Sequence, residues 1–206
     1  MTRLGMTALK ISKLTLMTYL LLSLFGCTSL RTQPNTFVDI APNTSVQLPL
    51  PKDLQLDITV NQLITAEWND ATHQLPVLLE VNERSVRLAG FSSWGTRILS
   101  LEYTEDNIES EVLAGLGASL PDPKQVLFYL MITLGPQEVW QTKLDDIGWK
   151  LTESAHLRTL FNEQRKEVVI IQYTNENKLA GDIHMRNTIS NYRITIQTLS
   201  LSQTSI

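Results

Sequence analysis

A single cysteine, three histidines and no apolar run of membrane-spanning length set the first limits on this chain of 206 residues. With Cys27 alone, an intramolecular disulfide is impossible and the fold must be held by its core. His73, His156 and His184 lie far apart among polar neighbours, without the paired spacing of a metal site. The longest apolar stretch, from Leu14 to Phe25, is about a dozen residues. A bilayer core needs roughly 20. Basic residues are also scarce, 17 against 21 acidic, and a net charge of −4 opposes binding to nucleic acid or to anionic membrane surfaces.

Motifs for catalysis are equally sparse. Gly115-Leu116-Gly117-Ala118-Ser119 starts like a dinucleotide loop but lacks the last glycine and the strand–helix–strand context, so it reads as a plain loop. Gly90-Phe91-Ser92-Ser93-Trp94-Gly95 is one residue too long for a nucleophile elbow and joins two strands. Asp145 and Asp146 are adjacent on an expected helix and so point in different directions, as on a solvated face. The expectation is a binding protein and not an enzyme, with no metal and no cofactor.

What is present begins with an export signal. Arg3, Lys10 and Lys13 precede the apolar run, no acid lies among them, and Leu24-Phe25-Gly26-Cys27 follows. That stretch resembles a lipobox, with Phe25 bulkier than usual. The reading is a signal peptide over 1–26, acylation at Cys27, and a flexible proline-containing tether over 27–52. The resemblance implies lipid on Cys27, and two or more acyl chains make such an anchor effectively permanent. Thr28 favours the outer membrane, since Asp at that place commonly retains lipoproteins at the inner one. Without residues 1–26 the chain keeps 14 basic and 21 acidic residues, a formal charge of −7.

The body, 53–206, has the length of one ordinary domain. From Leu54 to Trp68 the even positions are mainly apolar and the odd ones mainly polar, the period of a strand with one buried face. Further strands are expected near 75–82, 85–91, 96–103 and 108–114. Asp122 and Pro123 then open a helix that Gly135-Pro136 stops, a buried strand being the alternative for so short an apolar run. A second helix is expected over 136–148. Strands resume near 149–152, 156–162, 167–174, 179–187 and 191–199. The fold class is therefore mainly β with a helical insertion: a curved antiparallel half-barrel covered by two or three helices.

Among the aromatic residues Trp94 stands apart, because a hairpin turn normally faces water. Its indole either packs back or enters a membrane or partner. Leu88 to Thr96, with Trp94 before Gly95-Thr96, is similar to a stretch in LolB, the outer-membrane receptor for lipoproteins, where the protruding residue is usually Leu. Leu113 to Pro121 and Leu127 to Pro136 resemble the LolB segment leading into its lid helices. Ile147-Gly148-Trp149, Ile170 to Tyr173, Gly181-Asp182-Ile183 and Asn191 to Ile194 resemble LolB-like lipoproteins encoded beside aryl-polyene biosynthesis genes. Gly135 stands where such proteins often carry Trp, which implies a different closure of the lid.

The resemblance implies an apolar cavity beneath helices over 123–147. Trp68, Val126, Leu127, Leu130, Met131, Leu134 and Trp140 would form its lid and lining, and Phe91 and Trp94 the membrane contact. It implies lipid or acyl-chain cargo, a soluble LolA-like periplasmic carrier as donor, an address on the periplasmic face of the outer membrane, and an action that needs only a monomer. The alternative is a scaffold lipoprotein that docks an envelope complex and fills its interior with its own side chains.

Overall fold

The computed structural model describes residues 36–68, 71–116, 122–189 and 191–203. The expected signal peptide over 1–26, the expected acylation site Cys27, and residues 117–119 of the glycine loop lie outside the described residues. A short hairpin comes first, β1 (Phe37–Ala41) and β2 (Thr44–Gln47), followed by a 3-10 turn at Pro51–Leu54. Five strands form a meander: β3 (Ile58–Trp68), β4 (Ala71–Val81), β5 (Val86–Phe91), β6 (Arg97–Tyr103) and β7 (Ile108–Val112). Two helices follow, α1 (Pro123–Leu134) and α2 (Gln137–Asp145). The second meander is β8 (Lys150–Ser154), β9 (Leu157–Phe161), β10 (Glu167–Tyr173), β11 (Ile183–Asn187) and β12 (Tyr192–Gln203).

All ten strands from β3 onward form one antiparallel curved sheet in the order β7-β6-β5-β4-β3-β12-β11-β10-β9-β8. The two meanders meet where β3 pairs with β12, from Arg193↔Glu67 to Gln203↔Ile58. The chain leaves the first meander at β7, one outer edge, and enters the second at β8, the other. The helical insertion makes that crossing over one face. This connection explains why the helices cover the apolar side of the sheet.

Local chemistry sets the helix ends. The Asp122 carboxylate accepts the Lys124 N–H at 2.9 Å, and Pro123 occupies the first turn, where its missing N–H leaves nothing unpaired. Pro136 keeps Gly135 extended, at φ −68 and ψ 156, so α1 stops there. The period-two pattern of β3 also holds: Ile58, Val60 and Gln62 are buried on the helix-covered side, while Thr59 and Asn61 face water.

The tether reading is corrected for residues 36–52. Residues 36–52 belong to the folded body: Val38, Val46 and Leu48 are each 1% exposed, and β1 packs against α1. The Tyr103 hydroxyl donates to the Pro49 carbonyl at 2.9 Å, holding the next segment to the sheet. Alternation over a five-residue strand flanked by Pro34 and Pro42 is too brief to stand out from loop composition.

Candidate functional site

The covered face of the sheet is mainly apolar, with Gln62 and His73 as polar interruptions, and the cover is uneven. On β3, Val60 and Gln62 are 0% and 2% exposed, whereas Ile64 and Ala66 are half-buried. On β4, Val77 is buried, Leu75 half-buried and His73 exposed. On β12, Ile196 is buried while Ile194 and Tyr192 are partly open. Register joins these positions into rows, with Ile64 opposite Leu75 and Ile196, and Ala66 opposite Ile194. An apolar ledge thus emerges from under the helices at one end of the sheet. Gly90 adjoins it because a Cβ there would come within 3.2–3.3 Å of Leu75 and Leu99, tighter than most such contacts.

Antiparallel alternation puts the β3–β4, β5–β6 and β11–β12 connections at that same end. The β5–β6 hairpin carries Trp94, which is 92% exposed. Its turn is well built: Gly95 N–H donates to the Ser92 carbonyl at 2.9 Å, and Ser92 N–H to the Thr96 carbonyl at 2.8 Å. Gly95 takes φ +78, a conformation that costs a side-chain-bearing residue but not glycine. The indole is therefore presented on a structured tip and does not pack back onto the sheet. Phe91, on the strand below, is half-buried.

The expected lid and lining residues other than Trp68 lie on the two helices. Leu127, Leu130, Met131 and Trp140 are 1%, 5%, 1% and 0% exposed, and Val126 and Leu134 are half-buried. Trp68 ends β3, with its side chain outside the described part of the structure. Trp140 donates its indole N–H to the Met131 carbonyl at 3.1 Å and meets Phe128 edge-on, with ring centroids 5.4 Å apart. Leu127, Leu130, Met131 and Trp140 belong to one core cluster with the sheet residues beneath the helices.

Two buried polar groupings were not singled out by sequence reasoning. Asn187 donates to the Tyr129 hydroxyl at 2.7 Å, and Tyr129 meets Tyr192 edge-on at 5.8 Å. Burial pushes both phenols well above their ordinary pKa, so they stay neutral donors and acceptors. Nothing in the run Phe128-Tyr129-Leu130 distinguished Tyr129 from core.

The second grouping centres on Arg158, which is 0% exposed. Its guanidinium donates to the carbonyls of Ile132 and Gly135 at the end of α1, and to Glu153. Lys178 also reaches Glu153, at 2.6 Å. Burial would raise the Glu153 carboxyl, but the bonds from Lys178 and Arg158 outweigh it and hold the pKa low. Lys178 is lowered too, because burial and the nearby guanidinium outweigh Glu153, so the pair's attraction governs at the carboxylate only. Tyr173, whose hydroxyl donates to the Thr133 carbonyl at 2.7 Å, is pushed up to about 12, mainly by burial. A charged residue inside an expected strand gave no hint of this cap.

On the opposite face of β4–β7 lies a groove of about 430 Å³, whose lining includes Leu78, Arg87, Ala89, Ser100 and Glu111. Its wall mixes charged residues of both signs with apolar ones, so an acyl chain there would lie against charge along its length. Among the described residues no group of three or more His, Cys, Asp or Glu could hold a metal ion. No helix among them is long and apolar enough to cross a membrane.

Residues 59–200 match the family described as "Protein of unknown function (DUF3261)". No curated protein matches the chain. Similar solved structures include a domain from Vibrio parahaemolyticus described as an outer membrane lipoprotein-sorting protein, at 9% identity and a TM-score of 0.42, covering 72% of this chain and 86% of that one. A DUF1329 family protein from Desulfovibrio piger ATCC 29098 is similar at 7% identity and 0.35, over 72% and 85%. MucB, solved in complex with MucA, is similar at 13% identity and 0.38, over 75% of this chain and 52% of its own length.

Proposed function

The chain belongs to this DUF3261 family, and from its own residues we propose that it is an envelope lipoprotein that receives acyl chains or lipid-linked cargo and passes them to the outer membrane. The observation that carries the reading is the half-buried apolar ledge of Ile64, Ala66, Leu75 and Ile194 at the end of the helix-covered face. An acyl chain laid there gains about 0.8 kcal/mol for each methylene taken from water, with no catalytic group required. The anchor in this reading is lipid on Cys27, and the donor is a soluble LolA-like periplasmic carrier. The cargo is lipoprotein acyl chains or a lipid-linked polyene, as the resemblance to lipoproteins encoded beside aryl-polyene genes suggests. Trp94 is the element that touches the membrane, since an indole is favoured at the boundary between headgroups and tails.

Native mass spectrometry of the protein purified from cells tests the uptake. Co-purified lipid or polyene mass is expected, and it should fall when Ala66→Trp fills the ledge. A clean mass that also refuses added fatty acid would sink the proposal. Trp94→Glu is expected to keep cargo binding and lose delivery to vesicles; unimpaired delivery would remove Trp94 from the mechanism.

The scaffold reading keeps support from one observation, the burial of the helix side chains in one core with the sheet. Seven consecutive residues of α1, Leu127 to Thr133, are buried, so cargo enters deeper than the ledge only if the helices move. Absence of any bound lipid, together with an intact envelope complex around the protein, is the outcome that would favour it.

A further inference from the structure

Burial rarely leaves a hydroxyl proton unspent, but it does so at Tyr129. Asn187 gives an amide N–H to the Tyr129 oxygen at 2.7 Å and reaches the Tyr192 oxygen at 3.5 Å. The Asn187 side-chain carbonyl accepts the Ile189 N–H at 2.9 Å, which fixes the end of the amide that faces the phenols. Both phenol oxygens are therefore acceptors here. The Tyr192 proton can turn toward the neighbouring Tyr129 oxygen. The Tyr129 proton has no acceptor among the described residues, although Tyr129 is only 9% exposed.

This donor stands at the end of the apolar ledge. Asn187 and Tyr192 face each other in the last row of β11 and β12, on the helix-covered side. Ile194 follows two residues along β12 on the same side, roughly 7 Å away. Tyr129 reaches this row from α1 and meets Tyr192 edge-on at 5.8 Å. Tyr192 and Ile194 are both only partly buried where they pack against the core. Arg186 and Arg193, the arginines of these strands, pair on the opposite, exposed side. The row thus sets a neutral donor beside apolar surface, with the strand cations turned away from it.

We propose that the Tyr129 hydroxyl binds the polar end of the cargo, donating to the carbonyl oxygen of an acyl ester or amide whose hydrocarbon chain lies along Ile194, Ala66, Ile64 and Leu75. This assignment rests on the cargo-binding reading above and narrows it to a chain that ends in an uncharged carbonyl. Such a carbonyl is an acceptor with no proton and no net charge, which is what the hydroxyl lacks. A carboxylate would give up its hydration without gaining an arginine. A bare hydrocarbon would displace water and leave the buried proton unmet. Asn187 already fills one side of the Tyr129 oxygen, so the proton is directed elsewhere.

The test is displacement of a fluorescent hydrocarbon from the full acylated chain in detergent, with protein-free micelles as the blank. The probes are methyl laurate, N-methyl lauramide, laurate and dodecane. The ester and the amide should compete about fivefold better than dodecane or laurate, the effect of one neutral hydrogen bond. The better of the two tells a glyceride ester from an N-acyl amide as the source. Tyr129→Phe should abolish the advantage and leave dodecane unchanged. Tyr173→Phe, which removes a buried hydroxyl bonded to Thr133 instead, should keep it. Infrared spectra of methyl laurate labelled at its carbonyl should show the bound band below its frequency in dodecane, and Tyr129→Phe should restore that frequency. The parent's band is decisive even if the variant folds poorly. Equal competition by ester and dodecane, a preference for laurate, or an unshifted carbonyl band overturns the assignment and leaves the acyl-binding reading standing. Failure of every probe defeats that reading, and this assignment with it.

Discussion

Arg158 illustrates how one side chain completes another element. The last carbonyls of a helix have no intrahelical partner, and α1 ends on Gly135-Pro136, which offers no glycine turn to satisfy them. The guanidinium supplies those bonds from β9, and Glu153 balances its charge. Arg158→Met should therefore destabilise the protein by about 3 kcal/mol, read from denaturant unfolding, as buried acceptors lose their donor. The carboxyl of Glu153 is held below its ordinary value of 4.5. Its contribution to stability is then complete above that value and is lost as pH falls through the folded pKa. Thermal midpoints measured from pH 6 downward should drop more steeply for the parent than for Glu153→Gln. Gly135 makes a different demand, for space. A Cβ there would lie 2.8 Å from Leu54 and 3.0 Å from both the Met131 carbonyl and the Trp140 ring nitrogen. Gly135→Ala is expected to cost about 2 kcal/mol by overpacking. The resemblance placed a tryptophan at this position, and here the volume beside it is held by Trp140 instead.

Among the elements, legibility followed the length of the periodic pattern. The 11 residues of β3 were readable because their alternation persists and the face it defines is buried. α1 was readable from its ends, Asp122-Pro123 and Gly135-Pro136, since its apolar character runs almost all round. The β1–β2 hairpin escaped notice because five and four residues carry too little pattern, and its burial is decided by what α1 offers it. The candidate site divides in the same way. Trp94 could be found because a large apolar residue in a turn is anomalous by itself. The ledge could not, because Ile64 and Leu75 look like any core residue until the coverage of the helices is known. The hairpin is integral, so Leu48→Ala should cost about 3 kcal/mol in denaturant unfolding, as for other buried leucines. A loose tether would show no change.

For the whole molecule, the consequential feature is the seam between β3 and β12, whose paired residues are separated by more than 120 positions. The first meander emerges from synthesis with β3 as a bare edge, and that edge is closed by β12. Until Tyr192–Gln203 arrive, the first meander therefore waits with one side of β3 unpaired. Such late, distant pairing is slow, on the order of milliseconds to seconds, and leaves the waiting edge open to aggregation. Ending the chain after Asn187 should yield material that fails to melt cooperatively and is cleared by proteases, although both helices and nine of the ten sheet strands are encoded. Arrival of β12 thus acts as the timer for this fold, and a holding chaperone added to in vitro synthesis should bind the nascent chain up to that moment and release it afterwards.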